Sequence, residues 1–313
     1  MKQQCTIHRL DFYAQSGQWR VVRHLGLISV LAITLATSCK NKLGHSSQAD
    51  AGHPLPGISS EQVDAINNES KQPLYVGPTG TIEGTITISG DAAPDMTPFI
   101  DAIPANCAKA QELYGKLFRE GPGRVVADAL VAVTNFHGYV KPKSNHVDLS
   151  ARDCGWQQRT IALTYGQRID VKSADSQPYI PQLLGAPTGA LLVAIPNGEA
   201  VPVLAREPGH YVLIDSMRLF SKADVFVVRY PTTDVTGLDG HYRITGIPTG
   251  PATLSALLPS TSSTATKSVT IEASKAVHVD LTLAFDQSTF RPRGKTSTAA
   301  TSQGSPAPSQ AAP

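Results

Sequence analysis

His137, His146, His210 and His241 are the side chains best suited to hold a metal or move a proton in the folded middle of this chain. None of them belongs to an H-x-H or H-x3-H pair, the kind of spacing that sets two imidazoles on one ion. They read as solvated histidines in or beside turns. Met217 with His210 and Asp215 would make a soft, copper-friendly patch, although a methionine between Ser216 and Arg218 on a strand reads more simply as core packing. Asp170, Asp175, Asp215 and Asp224 have the chemistry of general acids and bases. Such work needs two carboxyls about 5–9 Å apart, and no spacing here joins two of them. Phe136, Tyr139, Trp156, Tyr165 and Tyr179 would offer a sugar-stacking face or, more simply, fill a β-sheet core. No G-x-S-x-G, H-E-x-x-H, Walker or Rossmann glycine pattern occurs, and Gly121-Pro122-Gly123 lacks the Lys-Ser/Thr that completes a phosphate loop. No catalytic residue is assigned, and the expectation is a protein that is not an enzyme and carries no cofactor.

The elements that must position these side chains read as strands. Residues 81–88, 129–133 and 159–163 alternate apolar and polar side chains with period two. Further short runs rich in Val, Ile and Thr cover 168–171, 190–195, 211–214, 224–229, 241–244, 252–257, 267–271 and 277–283. Gly, Pro and Asp turns separate them, the texture of β-sandwiches. Only 104–118 could host a helix, and Gly115 weakens it. The fold class expected is all-β.

The N-terminal part has a different character. Leu25 to Ser38 is an apolar stretch of fourteen residues behind Arg20 and Arg23. As a helix it would rise about 21 Å, short of the ~30 Å hydrocarbon core, so it reads as an export signal and not a stable span. Ala36-Thr37-Ser38-Cys39 resembles the lipobox of bacterial lipoproteins, although Leu35 lies one position early. That resemblance implies lipidation of Cys39 as the mature N-terminus and a membrane partner reached through the lipid. Lys40 stands where an Asp would retain such a protein at the inner membrane, so the outer membrane of the cell envelope is expected. An ordinary cleaved signal with an incidental cysteine is the plainer alternative.

Loss of residues 1–38 would remove Lys2, Arg9, Arg20, Arg23 and Asp11, leaving 23 basic and 24 acidic residues and a net charge of −1. A near-neutral chain without a basic cluster argues against nucleic acid as partner. With Cys5 in the leader and Cys39 lipidated, Cys107 and Cys154 remain. In an oxidising compartment they are expected to form a disulfide, the alternative being two buried free thiols.

Thr236-Gly237-Leu238-Asp239-Gly240-His241-Tyr242-Arg243-Ile244, then Ile247-Pro248-Thr249-Gly250 and an apolar strand, resembles the carboxypeptidase regulatory-like domain. That family implies a transthyretin-like sandwich without catalysis. The order Gly80–Gly90, Cys107, Ala127–Val133, Asp153-Cys154-Gly155-Trp156 and Ala162–Asp175 is similar to periplasmic cupredoxin-like proteins of the methylamine-utilisation type. Its copper-ligand positions would fall on Tyr179, Gln182, Asp215, Arg218 and Ser221. A blue-copper centre needs a thiolate, two imidazoles and a weak axial sulfur, so the resemblance implies a sandwich whose copper ligands are lost, with no metal.

The expected organisation is a signal peptide at 1–38 and a flexible tether at 39–77. A cupredoxin-like sandwich at 78–229, a transthyretin-like sandwich at 230–286 and a disordered tail at 287–313 follow. A variant topology would pair the Gly80–Gly90 strand into the second module. Three functions follow from the residues. The first is a non-enzymatic binding or structural role at the envelope, contacting protein or polysaccharide. The second is copper handling or electron transfer, and the third is polysaccharide-directed activity.

Overall fold

The computed structural model describes residues 58–96, 100–186 and 191–290. Cys39, the apolar leader, most of the expected tether and the tail beyond 290 lie outside them. Among the described residues no helix is long and apolar enough to cross a membrane. The fold is all-β, with two short α-helices among the described residues, α1 (Ser60–Asn67) and α2 (Ala108–Tyr114).

The first two strands are β1 (Thr79–Gly90) and β2 (Leu130–Thr134). Eight more follow in the middle of the chain: β3 (His146–Arg152), β4 (Gly155–Trp156), β5 (Thr160–Thr164), β6 (Arg168–Ser173), β7 (Pro181–Leu184), β8 (Val201–Leu204), β9 (Gly209–Asp215) and β10 (Arg218–Val228). The last six are β11 (Thr233–Val235), β12 (His241–Pro248), β13 (Gly250–Leu258), β14 (Ser263–Ile271), β15 (Ala276–His278) and β16 (Leu281–Phe285).

Four sheets make two sandwiches. The sheet β5-β10-β9-β7 faces β4-β3-β6-β8 across a core that includes Leu149, Trp156, Ile161, Tyr179, Leu213 and Val225. The other sandwich joins β12-β1-β15, with β16 also on β1, to β11-β2-β13-β14. Its core includes Ile82, Ile86, Val131, Tyr242, Leu254 and Leu283. The middle sandwich is therefore inserted between β2 and β11 of the outer one. This corrects the expected boundary at 229/230, which separates strands that the sheets pair. The Gly80–Gly90 strand follows the variant topology, and β2 joins it. The reason is physical: alternation fixes which face of a strand is buried but not which partner covers it.

In β1 the alternation is exact enough to read by eye: Ile82, Ile86 and Ile88 point inward and Thr81, Glu83, Thr85 and Thr87 outward. Each buried isoleucine contributes about 1.5–3 kcal/mol. The expected strand at 277–283 is broken into β15 and β16. Between them the Val279 carbonyl approaches β1 so closely that a Cβ on Gly84 would lie 2.0 Å from it. The turns expected at Gly240 and Gly250 are present, both with positive φ. By contrast 191–195 forms no strand; Ala194 makes only an isolated bridge to Tyr179.

Residues 58–77 are not a featureless tether. Ser59 caps α1 through a full capping box with Gln62, and Val63 joins the core of the inserted sandwich. The Ser-x-x-Gln spacing was the available signal. At the other end Phe290 packs on Phe285 with ring centroids 5.7 Å apart, so the expected tail begins later than 287. Asp128 ties the sandwiches together. Its carboxylate takes a bidentate pair from Arg119 at 2.7 and 2.6 Å and the Arg159 amide at 3.1 Å. Its backbone bonds Thr160 and Thr236, one residue from each sandwich.

Candidate functional site

The five positions where the resemblance would place copper ligands lie in and around the β9–β10 turn, β7 and β10. Asp215 ends β9 and is fully buried. One carboxylate oxygen accepts the Ile180 and Met217 amides at 3.0 and 3.1 Å, and the other accepts Arg218 Nη1 at 2.8 Å. Arg218 also donates to the Pro178 carbonyl (3.1 Å) and to Gln177, and lies 4.8 Å over the ring of Tyr179. The buried Tyr179 hydroxyl donates to Asp175 Oδ2 at 2.8 Å and accepts the Cys154 amide at 3.2 Å. Burial first, and then the Asp175 carboxylate, hold its phenol well above the ordinary range.

Three of the five residues thus converge on one ion-paired cluster at an end of the inserted sandwich. Ser221 and Gln182 stand apart from it. Ser221, fully buried, shares a hydrogen bond with Tyr114 (3.2 Å) and accepts the Trp156 amide (3.2 Å). Gln182 is exposed and accepts Ser216 Oγ at 3.1 Å.

The donor set does not fit copper. It offers a protonated phenol, a carboxylate with both oxygens engaged, a guanidinium cation, a hydroxyl and an exposed amide. Cys154 is bonded to Cys107, with Cα atoms 5.6 Å apart, so neither sulfur is a thiolate ligand. A fixed positive charge at the centre also repels a metal ion.

The other candidates are equally separated. His210 and Asp215 occupy opposite ends of β9, five residues and about 17 Å apart, so the soft patch with Met217 does not form. Met217 is 55% exposed in the turn after β9, not core packing. His210 is not a loop residue. It sits on β9, 2.6 Å from Asp224, and stacks on Phe226. His137 and His241 are exposed. Each of the four carboxylates has its own partner: Arg168 for Asp170, Tyr179 for Asp175, Arg218 for Asp215 and His210 for Asp224. Parallel pairing of β3 and β6 does gather His146, Asp148 and Asp170 within 4.8 Å, but Arg168 already holds Asp170 at 2.7 and 3.1 Å.

Of the five aromatics, Trp156, Tyr165 and Tyr179 are core. Phe136 and the buried Tyr139 line a cavity of about 270 Å³ with Tyr230, Asn67, Asn68, Glu69, Ser70 and Gln72. Sequence reasoning missed Tyr230 and Asn67 because the cavity is assembled from three distant segments. Tyr139 is anchored there by its hydroxyl to Asp64 Oδ1 at 2.8 Å, and its backbone bonds Pro73 and Tyr75. Asn67 donates to the Tyr165 carbonyl at 2.9 Å, while its Oδ1 is buried with no hydrogen-bond partner among the described residues. Burial alone raises the Tyr230 phenol, with no hydrogen bond contributing. Arg229 pairs with Glu69 at 2.6 Å on the cavity wall.

Fold and site together define an all-β, double-sandwich chain, one sandwich inserted into the other, with a buried ion-paired end. No protein-family model and no curated protein sequence matches the chain. Among solved structures it is similar over part of its length to a copper-containing nitrite reductase from Thermus scotoductus SA-01. That match has 13% identity and a TM-score of 0.24, covering 30% of this chain and 24% of the reductase. It is also similar to a Cu(I) form of a mutant amicyanin, with 12% identity, a TM-score of 0.23, and coverage of 28% of this chain and 86% of that one. The chain therefore spans about a quarter of the reductase's length, and likenesses this slight carry no argument about function.

Proposed function

We propose that this chain is a non-enzymatic binding protein of the bacterial cell envelope, anchored by lipid on Cys39 with the outer membrane as its site. The carrying observation is the Asp215–Arg218–Tyr179 cluster, which fills with fixed charge and hydrogen bonds the place where a cupredoxin-like protein would hold copper. A redox role needs an exchangeable electron carrier, and this donor set offers none. Two packed sandwiches, a disulfide and a helix packed on the inserted sandwich make a rigid platform, which suits recognition by surface loops and cavities.

Titration of the purified full-length protein with Cu(II) and Cu(I), followed by absorbance and calorimetry, tests this reading. The expected result is no stoichiometric uptake tighter than about micromolar, near −8 kcal/mol. One equivalent bound more tightly, with a charge-transfer band, would overturn the reading in favour of copper handling.

A further inference from the structure

We infer that the cavity bounded by Asn67, Gln72, Phe136, Tyr139, Arg229 and Tyr230 is a binding site for a neutral sugar. The inference rests on the reading above that the chain is a binding protein, and it names the class of ligand. Its volume of about 270 Å³ lies just below the roughly 300–1,000 Å³ typical of small-molecule pockets, the scale of one sugar ring and not of a nucleotide.

The wall chemistry matches a saccharide on both of its faces. Phe136, Tyr139 and Tyr230 provide aromatic surface for the apolar C–H face of a pyranose. Gln72 provides a planar amide that both donates and accepts, as adjacent sugar hydroxyls require. The Asn68 amide is engaged at both ends by the Gln72 backbone, which fixes this loop. Asn67 Oδ1 is different: it is a buried acceptor that lacks a donor.

Charge selects a neutral ligand. Arg229 and Glu69 neutralise one another on the wall, so neither a phosphate nor a uronate finds an unpaired cation there. An apolar ligand would strand the Gln72 amide without partners. The site also sits on rigid supports, since the Leu74–Tyr139 bridge and the α1 capping box hold two of its three walls.

Saturation-transfer NMR on the full-length protein tests the inference, with glucose, galactose, N-acetylglucosamine, cellobiose and chitobiose as probes. At least one probe is expected to receive saturation, with the signal weakened about tenfold in affinity by Tyr230→Phe and by Gln72→Ala. Tyr230→Phe keeps the ring and removes a hydroxyl that makes no internal hydrogen bond, so its thermal melt should match the parent protein. Transfer to no probe overturns the sugar site. So does transfer that both substitutions leave unchanged, which would place the contact elsewhere. Neither outcome depends on the copper titration, so the two readings fail separately.

Discussion

Arg218 lies with its guanidinium 4.8 Å above the ring of Tyr179 while the same group donates to the buried carboxylate of Asp215. The two residues link β10 to the loop before β7 and close that end of the inserted sandwich. The arrangement satisfies a charge that burial alone would penalise heavily. It therefore makes Asp215 dependent on a single partner for charge balance.

Replacing Arg218 by methionine should cost about 3–5 kcal/mol in urea unfolding, because it leaves Asp215 charged, buried and uncompensated. Adding Asp215→Asn should recover most of the loss, since an amide oxygen can still accept the Ile180 and Met217 N–H groups. A change below about 0.5 kcal/mol for the single variant would show that the pair is not what holds this end.

Tyr114 predicts a steep loss of stability at high pH. Burial pushes its phenol up from the ordinary 10.0 to about 12. The unfolded chain releases this proton near pH 10 while the folded chain keeps it. The stabilisation is therefore complete below pH 10 and is lost as pH rises to about 12. Two pH units correspond to about 3 kcal/mol. Tyr114→Phe should shrink the difference in stability between pH 9 and pH 12 by about that amount, measured by chemical denaturation at each pH. Burial raises Tyr139, Tyr179 and Tyr242 in the same direction, so an alkaline decline should remain in the variant.

The Cys107–Cys154 bridge closes a span of 47 residues and fastens the start of α2 to the turn between β3 and β4. The chain-entropy model puts its contribution at roughly 4 kcal/mol. At about 2–4 °C per kcal/mol for a fold of this size, Tm should fall by about 10 °C in reductant or in a double Cys→Ser variant. Superimposable melts in the presence and absence of reductant would refute it.

Gly84→Ala should damage the outer sandwich alone. Its Cβ would meet the Val279 carbonyl at 2.0 Å, and Val279 is already held by the Tyr242 hydroxyl at 2.6 Å. Neither backbone can yield cheaply, so the cost should be about 1–3 kcal/mol or more. Hydrogen exchange is the discriminating measurement. Protection should drop in 276–285 and persist in 160–164 and 223–228; uniform loss would mean that the sandwiches do not open independently.

Much of the local structure was legible from the chain itself. Period-two alternation marked β1, β2 and β5, and short Val-, Ile- and Thr-rich runs between turns marked β6, β12 and β13. Asp239-Gly240 and Pro248-Thr249-Gly250 marked turns, because only glycine takes their positive φ freely. The two cysteines left after the leader marked the bridge. Of the missed elements, β3 does alternate through Val147, Leu149 and Ala151, whereas α1 is short and announced only by its cap, and β7, β8 and β11 have three or four residues each.

The candidate sites were hardly legible at all. Asp215 and Arg218 are neighbours in sequence, yet nothing in their order says that Tyr179 lies beneath the guanidinium. Asn67, Phe136 and Tyr230 meet only because the chain leaves the outer sandwich after β2 and returns to it after β10, beside the end of α1. Side-chain alternation and turn residues depend on each residue's own stereochemistry and solvation, so the chain declares them position by position. Which strands pair, which charge finds its counter-charge and where a cavity remains depend on contacts across more than a hundred residues. Only the folded packing, by burying each surface against one partner and not another, decides them.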